Sequence, residues 1–138
     1  MFRLTALLLA CLTLSACGRG SAPADDGVCW LAQPAKAGAP IRYDAIRRQV
    51  GSLEDCAVLL EAVRLQGRVT ADGAYQGFYI YVDAKQITAG TRPNGLLYPV
   101  LQPPQRAEID RDLQKLIAEH GGKIPPDVSI SMQRQPSI

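Results

Sequence analysis

Few residues in this chain commonly carry out chemistry at neutral pH, since its 138 residues include one histidine and four cysteines. His120 is the first candidate for general acid–base catalysis, because the ordinary pKa of histidine lies near neutrality. A histidine base also needs a nucleophile and an orienting group. The serines that follow it, Ser129 and Ser131, are not part of a GxSxG pattern. The sequence therefore favours a cation at the end of a helix over a catalytic base.

Three groups of carboxylates are close enough in sequence to suggest acid–base pairs: Asp25-Asp26, Glu54-Asp55, and Glu108 with Asp110 and Asp112. The first group lies in a polar stretch, and the other two fall early in predicted helices, where negative charge is favoured. None has an apolar setting in the sequence that would raise its pKa. We therefore predict no catalytic site.

The sequence indicates no metal or cofactor site. Zinc needs three or four Cys, His or carboxylate ligands at recognisable spacing, and one histidine with distant cysteines does not provide it. The glycines form neither GxxxxGK nor GxGxxG, so no phosphate-binding loop is predicted.

The tyrosines are the best candidates for ligand binding. Tyr75, Tyr79 and Tyr81 alternate along one predicted strand and should share a face, and Tyr43 lies in a neighbouring strand. Aromatic rings can stack on sugar faces or anchor a protein partner. The alternative, which the pattern favours, is that a helix covers this face and the rings only pack against it.

Composition and charge indicate one small folded domain. Apolar residues make up 47% and charged residues 20% of the chain, which is ordinary for a globular protein. The net charge is +2 and the arginines are scattered, so we predict no nucleic-acid partner.

The N-terminus has the order of a secretory signal: Arg3, then the apolar run LTALLLACLTL, then Ser15 and Ala16. The apolar run is shorter than the roughly 20 residues that span a bilayer. Ordinary cleavage requires small residues at the last and third-from-last positions, and Leu14 violates the second requirement. The segment Leu14-Ser15-Ala16-Cys17 instead resembles the lipobox of bacterial lipoproteins.

That resemblance implies that residues 1–16 are removed and that Cys17 receives a diacylglyceryl group. The protein would then be attached to a membrane of the cell envelope through its N-terminal lipid. Gly18 follows the cysteine, and the absence of Asp there favours the outer membrane, facing the periplasm. The alternative is an ordinary secreted protein in which Cys17 forms a disulfide.

If the resemblance holds, Cys11 leaves with the signal peptide and Cys17 carries the lipid. Cys29 and Cys56 then remain as a pair in an oxidising compartment, where a structural disulfide is expected. The alternative is a redox or catalytic thiol, but the chain contains no CxxC pair.

Hydrophobic periodicity predicts an α+β domain over residues 28–121, with a small, mostly antiparallel sheet and two amphipathic helices over about 52–66 and 104–120. Residues 17–27 are predicted to be a flexible tether and 122–138 a tail. Ser52 is the predicted cap of the first helix. Residues 41–50 read as a strand bulged near Ala45, although part of their spacing is helical.

Within residues 71–83, Asp72-Gly73 is predicted to be a turn. The strand predicted after this turn contains Gly77, as a bulge or a point of close approach. Its residues Phe78, Ile80 and Val82 should face the first helix. Residues 96–101 are predicted to be an edge strand, because Pro99 cannot donate to a ladder.

These observations favour a membrane-anchored, non-catalytic binding or scaffold module of the cell envelope. Its partner would be an envelope protein or peptidoglycan. Residues 41–82 are similar in their strand–helix–strand order to half of a SPOR domain, which would imply peptidoglycan binding. A periplasmic enzyme that uses His120 is the remaining alternative.

Overall fold

Six strands and two helices make up the part of the chain that the structure, a computed structural model, describes, residues 21–125. The segment that resembles a lipobox, with Cys17, and most of the predicted tail lie outside these residues. The elements are β1 (Cys29–Ala32), β2 (Tyr43–Arg47), α1 (Leu53–Leu65), β3 (Gly73–Tyr75), β4 (Phe78–Val82), β5 (Ile87–Gly90), β6 (Tyr98–Pro99) and α2 (Pro103–Glu119). All neighbouring strands are antiparallel, in the order β2-β1-β3-β4-β5-β6. The α+β prediction is confirmed.

Helix α1 begins where its capping signal predicts. Ser52 has extended backbone, and its hydroxyl accepts a hydrogen bond from the Asp55 N–H at 3.1 Å. The helix places seven consecutive residues, 56–62, in the interior. It packs on β1, β3 and β4, where Leu60 meets Ile80 and Val82 in the main apolar core. The predicted packing of this helix on the β4 face is therefore confirmed for Ile80 and Val82, whereas Phe78, at the start of the strand beside the turn, is 39% exposed and lies outside the core.

The disulfide between Cys29 and Cys56 is present, with Cα atoms 5.3 Å apart and both residues fully buried. It connects β1 to the first turn of α1 across 27 residues of sequence. In the chain-entropy description, closing a loop of this length stabilises the fold by roughly 3.6 kcal/mol.

The single strand predicted after Asp72-Gly73 is a hairpin, β3 and β4, joined by Gln76 and Gly77. Both turn residues have positive φ, 44° and 85°, as a two-residue type I′ turn requires. Gly77 is thus a turn residue and not a bulge. Gln76 is an uncommon residue at such a φ, which is why the sequence pattern did not reveal the turn. The predicted turn at Asp72-Gly73 is wrong, since Gly73 begins β3 and the Asp72 carbonyl accepts from the Ala32 N–H of β1 at 2.8 Å.

At the two edges of the sheet, the structure agrees more closely with the sequence predictions. β6 is the edge strand predicted around Pro99. At the other edge, Cys29 pairs with Arg47 and Trp30 with Ala45, so Ile46 is the additional residue of a bulge. Strand β5 was not predicted, because its four residues carry little periodicity.

Helix α2 packs against α1 and contributes Leu113 to the same core. Both helices therefore lie on one side of the sheet. Within residues 21–125, no helix is long and apolar enough to cross a membrane.

The prediction that residues 17–27 are a flexible tether is wrong for its second half. Ala22 is buried against Ala74 and Tyr79, and its N–H donates to the Tyr79 hydroxyl at 3.0 Å. The Pro23 carbonyl accepts from the Gly77 N–H at 2.9 Å. These contacts bind Ala22 and Pro23 to the hairpin, so this part of the predicted tether belongs to the fold.

Candidate functional site

The face of the sheet opposite the helices carries a second apolar cluster. Ala22, Ala74 and Tyr79 are buried there, and Trp30, Tyr43 and Tyr81 pack around them, partly exposed. The strand register explains this grouping. Tyr43 of β2 pairs with Ala32 of β1, and Tyr81 lies on β4, where it pairs with Thr88 of β5. Asp72 directly precedes β3, which lies between β1 and β4, and its carbonyl accepts a hydrogen bond from the Ala32 N–H at 2.8 Å.

Tyr75 does not belong to this face, contrary to the prediction. It pairs with Phe78 across the hairpin turn, so its ring points to the helix side and lies in the main core. Its hydroxyl donates to the Val50 carbonyl at 2.7 Å. The turn at Gln76 and Gly77 inverts the alternation, because the two turn residues belong to neither strand.

Neither helix covers the tyrosine face, which corrects the expectation that a helix packs over it. The N-terminal segment covers Tyr79, and the remaining surface forms an open groove of about 790 Å³. The lining comes from the β1–β2 loop, the α1–β3 loop and the sheet: Ala32, Gln33, Pro34, Ala35, Gly38, Ala39, Pro40, Ile41, Tyr43, Arg68, Thr70, Ala71, Asp72, Gly73, Tyr79, Tyr81 and Pro93. Such a volume suits a small organic ligand or a short peptide.

Asp72 is the acidic residue in this lining. Its Oδ1 accepts a hydrogen bond from the Val82 N–H at 3.3 Å. Burial raises the pKa of Asp72, the hydrogen bond from Val82 opposes that effect, and the negative charge of Asp83 adds to it. Sequence reasoning did not identify this aspartate, because its setting arises from a loop folded against a distant strand.

The carboxylate of Asp72 also affects the pKa of two tyrosine hydroxyls in the groove. Burial raises the pKa of Tyr43, and electrostatic repulsion from Tyr79, Tyr81 and Asp72 adds to this effect. Burial, followed by Asp72 and Tyr79, raises the pKa of Tyr81. The Tyr81 hydroxyl donates to the Pro93 carbonyl at 3.4 Å. The groove thus combines aromatic rings with one carboxylate, Asp72, and one guanidinium, Arg68.

A cluster of charged side chains lies between the two helices. Glu61, fully buried, accepts hydrogen bonds from Arg64 at 2.7 and 2.8 Å and from Arg106 at 3.1 Å. Arg106 also donates to the Asp83 carbonyl, and its Nε lies 3.7 Å from Asp110 Oδ2. These ion pairs connect α1, α2 and the end of β4.

The carboxylates of this cluster have opposite pKa shifts. Burial alone would raise the pKa of Glu61, but hydrogen bonds from Arg64, Asp110 and Arg106 outweigh it and lower the pKa. Burial, then the hydrogen bond with Glu61 and its charge, raises the pKa of Asp110 to about 6. The expectation that no acidic residue has a pKa-raising environment is therefore wrong for Asp110. Because its neighbours are two arginines and a carboxylate that hold the helices together, we interpret the cluster as structural.

His120 lies at the C-terminal end of α2, exposed, with its Nδ1 2.8 Å from the Leu116 carbonyl oxygen. It is not part of the groove lining. Among residues 21–125, no three His, Cys, Asp or Glu side chains are grouped so that they could hold a metal ion.

Comparison with known proteins adds no identity to this geometry: no family model, no curated protein and no solved structure matches the chain.

Proposed function

We propose that this chain is a lipid-anchored protein of the bacterial cell envelope whose domain is a non-catalytic binding module. The observation that carries the binding role is the open aromatic groove on the sheet face opposite the helices. Aromatic rings supply large contact area for little conformational entropy, which is why they are enriched where proteins bind ligands and partners. The resemblance of residues 14–17 to a lipobox supports the anchor, and Gly18 after the cysteine, where Asp is absent, supports the outer-membrane location.

The proposal is tested by site-specific photo-crosslinking in intact cells. A benzophenone amino acid replaces Tyr43 or Tyr81, whose side chains line the groove. The matched control replaces Tyr98, which is 60% exposed on the edge strand and does not line the groove. We expect discrete adducts from positions 43 and 81 and none of the same mass from position 98.

Two results would contradict this proposal. Equal adduct patterns at all three positions would show that the groove has no preferred partner. A mature protein without acyl mass on Cys17, and a Cys17→Ser variant that stays in the membrane fraction, would remove the lipid anchor.

Peptidoglycan is the second candidate partner, because Tyr43 and Tyr81 line an open groove in which a glycan strand could stack on aromatic rings. This candidate corresponds to the SPOR-like similarity of residues 41–82, where the structure has β2, α1 and the β3–β4 hairpin. Co-sedimentation of the soluble domain with purified sacculi separates the two candidates. Retention that is lost in Tyr81→Ala but kept in Tyr98→Ala supports glycan binding, and no retention excludes it.

A further inference from the structure

Asp72 has no ion-pair partner in the part of the chain that the structure describes. Within residues 21–125, no Lys, Arg or His nitrogen lies within 4.0 Å of its carboxylate, and its side chain accepts only the Val82 N–H. Arg68 lines the same groove but stays beyond that distance. Glu61, by contrast, is paired with two arginines. A half-buried carboxylate without a cation is held at a free-energy cost that a positively charged ligand would offset.

The rings beside this carboxylate suit the same kind of ligand. Tyr43 and Tyr81 line the groove on either side of Asp72 in the strand register. The face of a tyrosine ring attracts an ammonium or guanidinium group, and the attraction grows when the cation is desolvated. A carboxylate flanked by aromatic rings is therefore complementary to an organic cation in both charge and shape.

The rest of the lining indicates what carries the cation. Pro34, Pro40 and Ile41 provide apolar walls along which an aliphatic stem can lie. A volume of about 790 Å³ is much larger than a single ammonium group and accommodates several residues of peptide. A bare metal ion would find one carboxylate here, too few ligands for a stable site.

We propose that the groove binds a peptide through a lysine or arginine side chain, with Asp72 as its counter-ion and Tyr43 and Tyr81 as its aromatic walls. The inference rests on the proposed binding function and names the chemistry of its ligand.

The test uses the tripeptide N-acetyl-Ala-Lys-Ala-amide and two analogues, in which norleucine or glutamate replaces lysine. Titrations of the ¹⁵N-labelled soluble domain at low salt are followed by amide chemical shifts. We expect the lysine peptide to shift amides of groove residues such as Tyr81 and Gly73, and to bind at least tenfold more tightly than either analogue. Higher salt should weaken its binding, because the pairing is electrostatic.

Asp72→Asn is the decisive variant, because the asparagine oxygen can still accept the Val82 N–H while the charge is lost. We expect it to bind the lysine and norleucine peptides equally. Asp112→Asn makes the same charge change on an exposed position of α2 outside the groove, and should retain the tenfold preference.

The outcomes separate this inference from the proposed function. Equal binding of the three peptides, no binding of the lysine peptide, or an unchanged preference in Asp72→Asn would each overturn the cation site. None of these results touches the crosslinking at positions 43 and 81. A charge-dependent tripeptide site without cellular adducts would instead retain the cation site and remove the proposed envelope partner.

Discussion

At the scale of single residues, the most crowded glycine is Gly73, where β3 lies beside β1 and α1 packs on it. A Cβ atom there would overlap the Trp30 carbonyl oxygen and lie 2.7 Å from Leu60 Cδ1. The leucine could move, but the carbonyl belongs to the paired strand and cannot move without breaking the ladder. A glycine is therefore required for close approach between two backbones.

We predict that Gly73→Ala lowers the free energy of unfolding by about 3 kcal/mol, the upper part of the range for overpacked interiors. Urea denaturation followed by circular dichroism measures the change. Gly51→Ala is the matched control, because its Cβ would meet only Asp55 Oδ2 at an ordinary 3.6 Å. If both variants lost the same stability, the crowding at Gly73 would not be the cause.

The tyrosines show what residue spacing can and cannot reveal. Alternation correctly placed Tyr79 and Tyr81 on one face, because side chains of a continuous strand alternate. It misplaced Tyr75, because the turn at Gln76 and Gly77 interrupts the strand and Gln76 gives no turn signal. Asp72 was missed for a different reason: its partly buried, unpaired state depends on strands that are distant in sequence.

At the scale of elements, the sequence predicted the helices closely. The predicted spans 52–66 and 104–120 compare with Leu53–Leu65 and Pro103–Glu119, since caps and helical periodicity are local signals. The four-residue β5 was missed, because its pairing with β4 and β6 is non-local. The ion pairs between α1 and α2 were missed too, because Glu61 and Arg106 are 45 residues apart.

The same cluster makes helix packing depend on pH. The raised pKa of Asp110, about 6, means that the folded state binds its proton more tightly than the unfolded state does. Its contribution to stability is therefore present at acidic pH and lost as the pH rises from about 4 to 6. The lowered pKa of Glu61 acts in the opposite direction, since its contribution is present above the unfolded pKa and lost on acidification.

Asp110→Asn isolates the first of these effects, because the amide can still donate to Glu61 but does not ionise. We compare the free energy of unfolding of this variant with that of the unmodified protein at each pH. We expect the variant's value minus the unmodified protein's value to be about 1 kcal/mol larger at pH 7 than at pH 4. One pKa unit corresponds to about 1.4 kcal/mol, and partial exposure of Asp110 screens the full effect. Urea denaturation across this pH range measures it.

Asp112→Asn on the exposed side of the same helix is the control and should show no such rise. A stability difference between Asp110→Asn and the unmodified protein that did not change with pH would mean that Asp110 titrates normally.

At the scale of the whole molecule, the docked N-terminal segment relates the groove to the proposed anchor. Ala22 lies on the groove face of the sheet, in the same cluster as Trp30 and Tyr43. Only residues 18–21 separate it from Cys17 in sequence. Even a fully extended chain spans at most about 18 Å over these five steps. An acyl group on Cys17 would therefore hold the groove face near the membrane surface and turn the helices away from it.

Trp30, the only tryptophan, reports this orientation. In liposomes that contain lipids with nitroxide-labelled headgroups, we expect the fluorescence of Trp30 in the acylated protein to be quenched. Inserting 40 glycine and serine residues after Gly20 should remove most of the quenching, because such a linker has a root-mean-square span of about 32–38 Å. A non-acylated Cys17→Ser variant gives the background from free diffusion. Equal quenching with and without the insertion would show that the short connection does not fix the groove face toward the membrane. Loss of quenching on insertion would show that the short connection holds this face at the membrane surface.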